Sequence, residues 1–355
     1  MTILHLSGEG HQAGSSISIA LLARVQREAG QRAIVACPPG SFLFNRVREC
    51  GGEAVPLEFG TGASARLGEL IASESVTVVN AHSSSDRALC RRMRAARRLD
   101  PALVFTRRAM PLTTLPGLIA DRLLVDQVIA VSRAVARVLV RRGLPRRLVR
   151  VVHNAADRSR LAPPAPAAVE VARRRCALPG DRPVIGVVAR RKDHALLLSA
   201  IRSLQRPVAV VCLGTGSAPA LEAAARQAAP HIVRLLPFDP EVRPYYELFD
   251  IVALPTRSEG MSLSLLEAMT LGMPIVTTDA GGNGECVRNG IEALLVPRGD
   301  RRLLARALGA LLDEPSLAAR LGEAAARRAA RFGTERLVAD TAAAYAAAMR
   351  RREAA

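Results

Sequence analysis

Short apolar runs recur through the first 160 residues, at Thr2–Leu6, Arg32–Cys37, Val76–Asn80, Leu103–Thr106, Gln127–Val131 and Val149–Val152. Their length and composition predict strands buried on both faces. Segments with helical patterns fill the gaps, for example Ile17–Glu28 and Arg133–Arg142. Strands alternating with helices predict a parallel sheet covered on both sides. A proline-rich break, Leu161-Ala-Pro-Pro-Ala-Pro166, then interrupts the pattern. A second series follows at Val184–Val188, Val208–Leu213, Ile232–Leu235, Ile251–Leu254, Ile275–Thr278 and Ala293–Val296, with helices such as Ala195–Ser203 and Pro219–Ala229 between them. The run Arg301–Arg352 has an Ala/Leu/Arg helical composition. The expected fold class is α/β, with two doubly wound sheets.

Composition adds three things. A length of 355 residues and 49% hydrophobic content suit two domains of ordinary size. The opening Met-Thr-Ile-Leu-His-Leu-Ser reads as a first strand and not as a signal peptide, and no apolar stretch reaches the ~18 residues that a spanning helix needs. Six scattered cysteines without a Cys-x-x-Cys fit a reduced, cytoplasmic setting. The net charge of +18 is the anomaly. Residues 1–160 carry 24 basic and 12 acidic side chains, the remainder 26 and 20, so the N-terminal half holds most of the excess. An arginine-rich composition accounts for it blandly; attraction to an anionic membrane surface or a phosphorylated acceptor accounts for it functionally. Aromatic content of 3% and no Trp leave few stacking platforms, which weighs against nucleic acid.

The segment Pro255–Glu285 carries the densest chemistry. Glu259 and Glu267 stand eight residues apart, and Ser262 or Ser264 is placed to cap a helix that Gly272 and Pro274 end. A glycine turn before a helix offers free backbone N–H groups to an anion. Taken alone, two glutamates on such a helix read as solvated. Three successive cations, Arg190, Arg191 and Lys192, follow the strand Val184–Val188, and Lys192 is the only lysine in the chain. They suit a diphosphate, with forked contacts from Arg and a point charge from Lys. A glycine-rich loop, Ser7–Ser16, follows the first strand, and His82 with Asp86 follows the third. No His, Cys or acidic cluster has metal-ligand spacing, and no cofactor is expected.

The Pro255–Glu285 segment resembles the donor-binding signature of retaining glycosyltransferases of family 4. The pattern is a strand ending in Pro-Thr, a Glu-Gly pair, a second Glu after seven residues, Glu-Ala-Met, a Gly-x-Pro-Ile-Val strand, and a Gly-Gly turn closed by Glu285. Asn283-Gly284 departs from it where the family more often has an apolar residue and proline. The resemblance implies a GT-B architecture of two Rossmann-like domains facing a central cleft. An acceptor-binding domain would span 1–160, a nucleotide-sugar domain 161–333, and a helix over 334–355 would return to the first domain. It implies catalytic roles for Glu259, His82, Arg190 and Lys192, with Arg191 able to replace either cation because the loop is shortened. Gly260, Met261, Ser262 and Leu263 would offer amides to the sugar or β-phosphate, Glu267 would hold the ribose, and Gly14 and Glu285 would line the donor site. His82 would lie near the transferred sugar and Asp86 near the acceptor.

The expected activity is a metal-independent, retaining hexosyl transfer from a nucleotide sugar, UDP-linked by preference, to a saccharide or lipid-linked acceptor in cell-envelope glycan or lipopolysaccharide synthesis. No carboxylate is placed as a covalent nucleophile, so front-face attack by the acceptor is the expected route. A nucleotide-sugar epimerase of the same fold, and a non-enzymatic basic protein on the inner face of the membrane, are the alternatives.

Overall fold

A computed structural model describes residues 1–110, 114–190 and 192–354. The chain divides into two compact units, Met1–Ala155 with Gly333–Ala355, and Ala156–Phe332.

The first unit is built on a parallel sheet of seven strands: β1 (Thr2–Leu6), β2 (Arg32–Cys37), β3 (Glu53–Pro56), β4 (Val78–Ala81), β5 (Ala102–Arg107), β6 (Gln127–Ala130) and β7 (Val149–Val151). Their order across the sheet is β3-β2-β1-β4-β5-β6-β7. Between them run α1 (Gly14–Glu28), α2 (Phe42–Glu49), α3 (Ala63–Ser73), α4 (Ser84–Ala95), α5 (Leu115–Leu124) and α6 (Arg133–Arg141). In the second unit a parallel sheet has the order β10-β9-β8-β11-β12-β13. Its strands are β8 (Val184–Val188), β9 (Ala209–Leu213), β10 (Ile232–Leu236), β11 (Ile251–Leu254), β12 (Ile275–Thr278) and β13 (Leu294–Val296). Its helices are α7 (Pro166–Cys176), α8 (His194–Ile201), α9 (Pro219–Arg226), α10 (Arg243–Tyr246), α11 (Leu263–Thr270), α12 (Asn283–Cys286), α13 (Arg301–Asp313) and α14 (Pro315–Ala329). The last helix, α15 (Thr334–Glu353), packs into the first unit, where Tyr345, Ala344 and Ala348 are fully buried beside Val104 and Ile129.

The predicted strands recur with small shifts. The third expected strand begins at Val78 rather than Val76, because the Val76 N–H is used to close α3 on the Ile71 carbonyl. β3 was not expected: it is a four-residue edge strand, half exposed, and hydrogen-bonded on one side only, to β2. The expected helical run 301–352 is three helices, broken at Pro315, which starts α14, and at Gly333, which precedes α15. The proline-rich stretch 161–166 lies inside the second unit and leads into α7 with Pro166 at its first position.

Some of the arginine excess is turned inward. Arg107, 7% exposed, and Arg91 both pair with the buried Asp121, at 3.0 and 2.6 Å. Arg94 reaches Asp126 at 3.2 Å and the Pro101 carbonyl at 2.5 Å. These guanidinium groups brace β5 against its neighbours and are not available to a surface partner.

In both sheets the strand order reverses once, between β1 and β4 and between β8 and β11. Loops leaving the carboxyl ends of such a pair diverge to opposite faces, and the crevice between them is where open α/β sheets bind ligands.

Candidate functional site

The second unit's reversal point carries the cations and carboxylates. Lys192 follows β8, and Glu259 follows β11; the two pair directly, with side chains 21% and 13% exposed. Three further bonds stitch the loops around them. The Asp193 N–H donates to the Pro255 carbonyl at 3.0 Å, and Arg257 Nε donates to Asp193 Oδ2 at 2.6 Å. From the loop after β12, the Gly282 N–H donates to the Glu259 carbonyl at 3.3 Å. Gly281 sits so close to that carbonyl that an added Cβ would stand 1.7 Å from its oxygen, and its φ of +56° is a left-handed conformation. The Gly-Gly turn is therefore what lets the β12 loop lie against the backbone of Glu259.

Asn283 replaces the apolar residue of the family pattern, and its fully buried Nδ2 donates to Thr277 Oγ1 at 3.1 Å and to the Thr278 carbonyl at 3.2 Å. These bonds tie the turn to the end of β12. Glu285 follows in α12, half-buried.

Ser262 caps α11 by accepting the Leu265 N–H at 3.4 Å, and its hydroxyl lies 3.0 Å from that of Ser264. Gly260, Met261 and Ser262 are buried at this N-terminus, with Leu263 half-buried as the first helical residue. Arg190 is exposed at the end of the β8 loop, and Arg191 lies outside the described residues. Glu267, inside α11, is 5% exposed. One of its oxygens pairs with Arg160 and the other accepts the Tyr246 hydroxyl at 3.2 Å. Arg160 also donates to the Pro240 carbonyl at 3.0 and 2.6 Å. Burial, and next the charge of Glu267, pushes the Tyr246 phenol well up, so it stays protonated and donates to the Glu267 carboxylate. Neither Arg160 nor Tyr246 shows a local sequence pattern that marks it as a partner of Glu267.

At the first unit's reversal point, β1 leads into the glycine loop and β4 into His82. Asp86 is fully buried at the third position of α4, where it forms a capping box with Ser83. It accepts the His82 N–H at 2.6 Å, the Ser83 N–H at 2.9 Å and the Gly8 N–H at 3.3 Å, and so joins the two loops. Burial raises its carboxyl to about 6 against those stabilising amides. Gly14 is exposed as the first residue of α1.

The His82 ring, 7% exposed, places Nε2 3.0 Å from Nδ1 of His5, whose Nε2 lies 2.7 Å from Oε1 of Gln26. His5 and Gln26 were not anticipated; the signal was a titratable residue between the apolar Leu4 and Leu6 of the strand Thr2–Leu6. Burial lowers His5 to about 4. It lowers His82 well below the ordinary value, helped by the charges of Arg108, His5 and Arg87. Arg108 donates to Asn154 Oδ1 at 3.1 Å, and no carboxylate among the described residues pairs with it. Asn80, in β4, bridges Thr106 and Tyr345 of α15 at 2.8 Å each.

Among the described residues, no three His, Cys, Asp or Glu side chains are grouped to hold a metal ion, and no helix is long and apolar enough to cross a membrane.

Residues 13–160 match the family model described as Glycosyltransferase Family 4, and residues 182–314 that described as Glycosyl transferases group 1. The D-inositol 3-phosphate glycosyltransferase of Thermobispora bispora is 34% identical over 205 residues, which are 52% of this chain and 48% of that protein. The chain spans about half the length of the curated relatives it matches. Among solved structures, a glycosyltransferase from Rickettsia africae has a TM-score of 0.85 at 16% identity, with 98% of each chain covered. Anabaena HepE in complex with UDP-glucose has a TM-score of 0.85 at 18% identity, covering 97% of this chain and 98% of that one. At such identities the likeness is one of fold.

Proposed function

Because the chain belongs to the GT-B glycosyltransferases of family 4, we propose that it moves a sugar, with retention, from a nucleotide-sugar donor to a hydroxyl-bearing acceptor. The observation that carries this reading is the Lys192–Glu259 pair at the β8/β11 reversal, held by three loops. A cation and a carboxylate side by side match the two ends of a sugar diphosphate. Lys192, with Arg190, meets the phosphates and stabilises the charge that develops on the leaving diphosphate. Glu259 accepts hydrogen bonds from sugar hydroxyls, and the amides at Gly260–Leu263 lie at a helix N-terminus that favours an anion. In the second unit Glu285 borders the donor site; in the first, His82 and Gly14 are the residues that answer a sugar. Glu267 shapes the ribose end of that site with Arg160 and Tyr246, and Asp86 positions the acceptor-side loops.

UDP is the favoured nucleotide, in keeping with the UDP-glucose held by Anabaena HepE. The acceptor is a polyhydroxylated molecule, saccharide, lipid-linked or phosphorylated. A relative named for D-inositol 3-phosphate and an Arg108 without a carboxylate partner both favour one that carries an anion. A role in the cell envelope follows for a lipid-linked acceptor.

Incubation with a panel of nucleotide sugars tests the reading by thermal stabilisation and slow nucleotide release. UDP-glucose should raise the melting temperature of wild-type protein and leave Lys192→Ala unmoved. If no donor stabilises the wild type, the reading fails; an epimerised sugar without nucleotide release favours the epimerase instead.

A second observation favours peripheral contact with anionic lipid. Leu115, Ile119 and Leu123, 67, 53 and 74% exposed, stand four residues apart on one face of α5, with the exposed Arg122 beside them. The protein should sediment with phosphatidylglycerol vesicles and not with phosphatidylcholine vesicles. Replacing the three apolar residues by Ser should abolish that binding; retained sedimentation would remove α5 from the account.

A further inference from the structure

β1 buries Ile3, Leu4 and Leu6, and among them one polar side chain, His5, which is fully buried. A buried polar atom without a partner costs about 1–3 kcal/mol, so the partners of His5 specify its protonation. Gln26 Oε1, from α1, is a carbonyl oxygen and can only accept, so in this amide orientation, which leaves Gln26 Nε2 buried without a hydrogen-bond partner, His5 Nε2 at 2.7 Å carries the hydrogen. A neutral imidazole has one N–H, so His5 Nδ1 is an acceptor, and His82 Nε2 at 3.0 Å must donate to it. That leaves His82 Nδ1 with a lone pair.

We infer that Gln26 and His5 are positioning residues that fix the tautomer of His82, so that His82 Nδ1 accepts a hydrogen bond from a hydroxyl of the bound sugar. The inference rests on the transferase reading above for the identity of the ligand, not for the relay. His82 Nδ1 is buried and has no partner among the described residues. Every other polar atom of His82 is engaged: its N–H by Asp86 at 2.6 Å, its carbonyl by Arg87 Nη1 at 2.8 Å, and Nε2 by His5. The two rings stack with centroids 5.2 Å apart, which holds the orientation of His82.

The surroundings select the donor. Around the pair stand Arg108 from the end of β5, Arg87 and Asp86 from α4, Gln26 from α1 and, through Asn80, Tyr345 from α15. Two guanidinium groups disfavour a cationic donor such as an ammonium; both imidazoles are kept neutral first by burial, with the charge of Arg108 adding to it. The group that remains is an O–H, which abounds on a sugar. Protonating His5 would reverse the relay: its Nδ1 would become a donor, His82 Nε2 an acceptor, and the proton of His82 would sit on Nδ1.

The full chain labelled with nitrogen-15 histidine reads the tautomers directly from two-bond proton–nitrogen correlations. At neutral pH, His5 and His82 should both appear neutral with Nε2 protonated, and the His82 Nδ1 resonance should shift when UDP-glucose saturates the protein. Gln26→Glu places a carboxylate on His5, so near neutrality His82 should change to the Nδ1-protonated tautomer and UDP-glucose turnover should gain an acid limb. Gln26→Leu, which leaves the His5 Nε2–H without its acceptor, should show mixed tautomers. A wild-type His82 protonated on Nδ1, or one that ignores Gln26→Glu, overturns the relay whatever the turnover. An Nδ1 resonance unmoved by saturating UDP-glucose overturns the hydroxyl assignment. Expected tautomers without any donor binding would instead sink the transferase reading.

Discussion

Glu267 was expected to hold a ribose, and in the structure its carboxylate is already committed to Arg160 and Tyr246. The two demands separate experimentally. The side chains of Arg160 and Glu267 are 5% and 7% exposed, so Glu267→Gln leaves a guanidinium buried without its counterion. Breaking a buried pair from one side typically costs about 3–5 kcal/mol. Arg160 keeps two bonds to the Pro240 carbonyl, which places the expected loss near the lower end, about 3 kcal/mol. In a unit of 177 residues each kcal/mol moves the melting point by about 2–4 °C, so calorimetry should find it lowered by about 6–12 °C. Replacing both partners with Met removes charge and counterion together, and should restore stability to within about 1 kcal/mol of wild type. If the ribose also depends on Glu267, that double variant melts normally yet gains nothing from UDP-glucose. A loss below about 1 kcal/mol in Glu267→Gln, or a double variant no better than the single, would refute the reading of Arg160 and Glu267 as a buried pair that needs both partners.

Gly281→Ala should lose about 1–2 kcal/mol from its left-handed backbone alone and more from the contact with Glu259, along with the UDP-glucose shift. Gly290→Ala, at a φ of +72° with nothing within 4 Å of the new Cβ, should pay only the backbone cost and keep donor binding. Asp86 titrates near 6 in the folded protein against 3.8 unfolded, so between those values the native state holds the extra proton. Its contribution therefore falls as pH rises through 6, by on the order of 3 kcal/mol, and the advantage of wild type over Asp86→Asn in melting experiments should widen from pH 7 to pH 4. A constant difference would contradict this. Burial pushes the thiols of Cys37 and Cys176 up to about 11 and Cys212 to about 12, and those of Cys90 and Cys286 still higher. Ellman's reagent should therefore find one fast thiol in the folded protein, the half-buried Cys50.

What the sequence revealed depended on whether the cause was local. A buried parallel strand needs a continuous apolar run, so most strands were visible; β3 failed because a half-exposed edge strand needs none. Repeating Ala, Leu and Arg obscured the two breaks at Pro315 and Gly333, although each residue is a known helix boundary. Glu259, Lys192 and the Gly-Gly turn lie in compact patterns that could be recognised. Their supports could not, since Arg160 is 107 residues from Glu267 and His5 is 77 from His82. Asp86 illustrates the middle case. The spacing Ser83-x-x-Asp86 spells a capping box, and that local reading accounts for the bonds to Ser83 but not for the Gly8 N–H that the same carboxylate accepts.

The two polar clusters occupy equivalent places and differ in kind. Each sits at the carboxyl ends of the strand pair where its sheet reverses, because only there do neighbouring loops part and leave strand-end polar groups room for a ligand. At β8/β11 the chain gathers charge: Lys192 against Glu259, Arg257 against Asp193. Such pairs answer a ligand that is itself charged. At β1/β4 it buries two imidazoles under Arg87 and Arg108, which holds them neutral and leaves one lone pair unspent. A neutral acceptor in a positive field is poorly suited to a diphosphate's counter-cation and well suited to an alcohol.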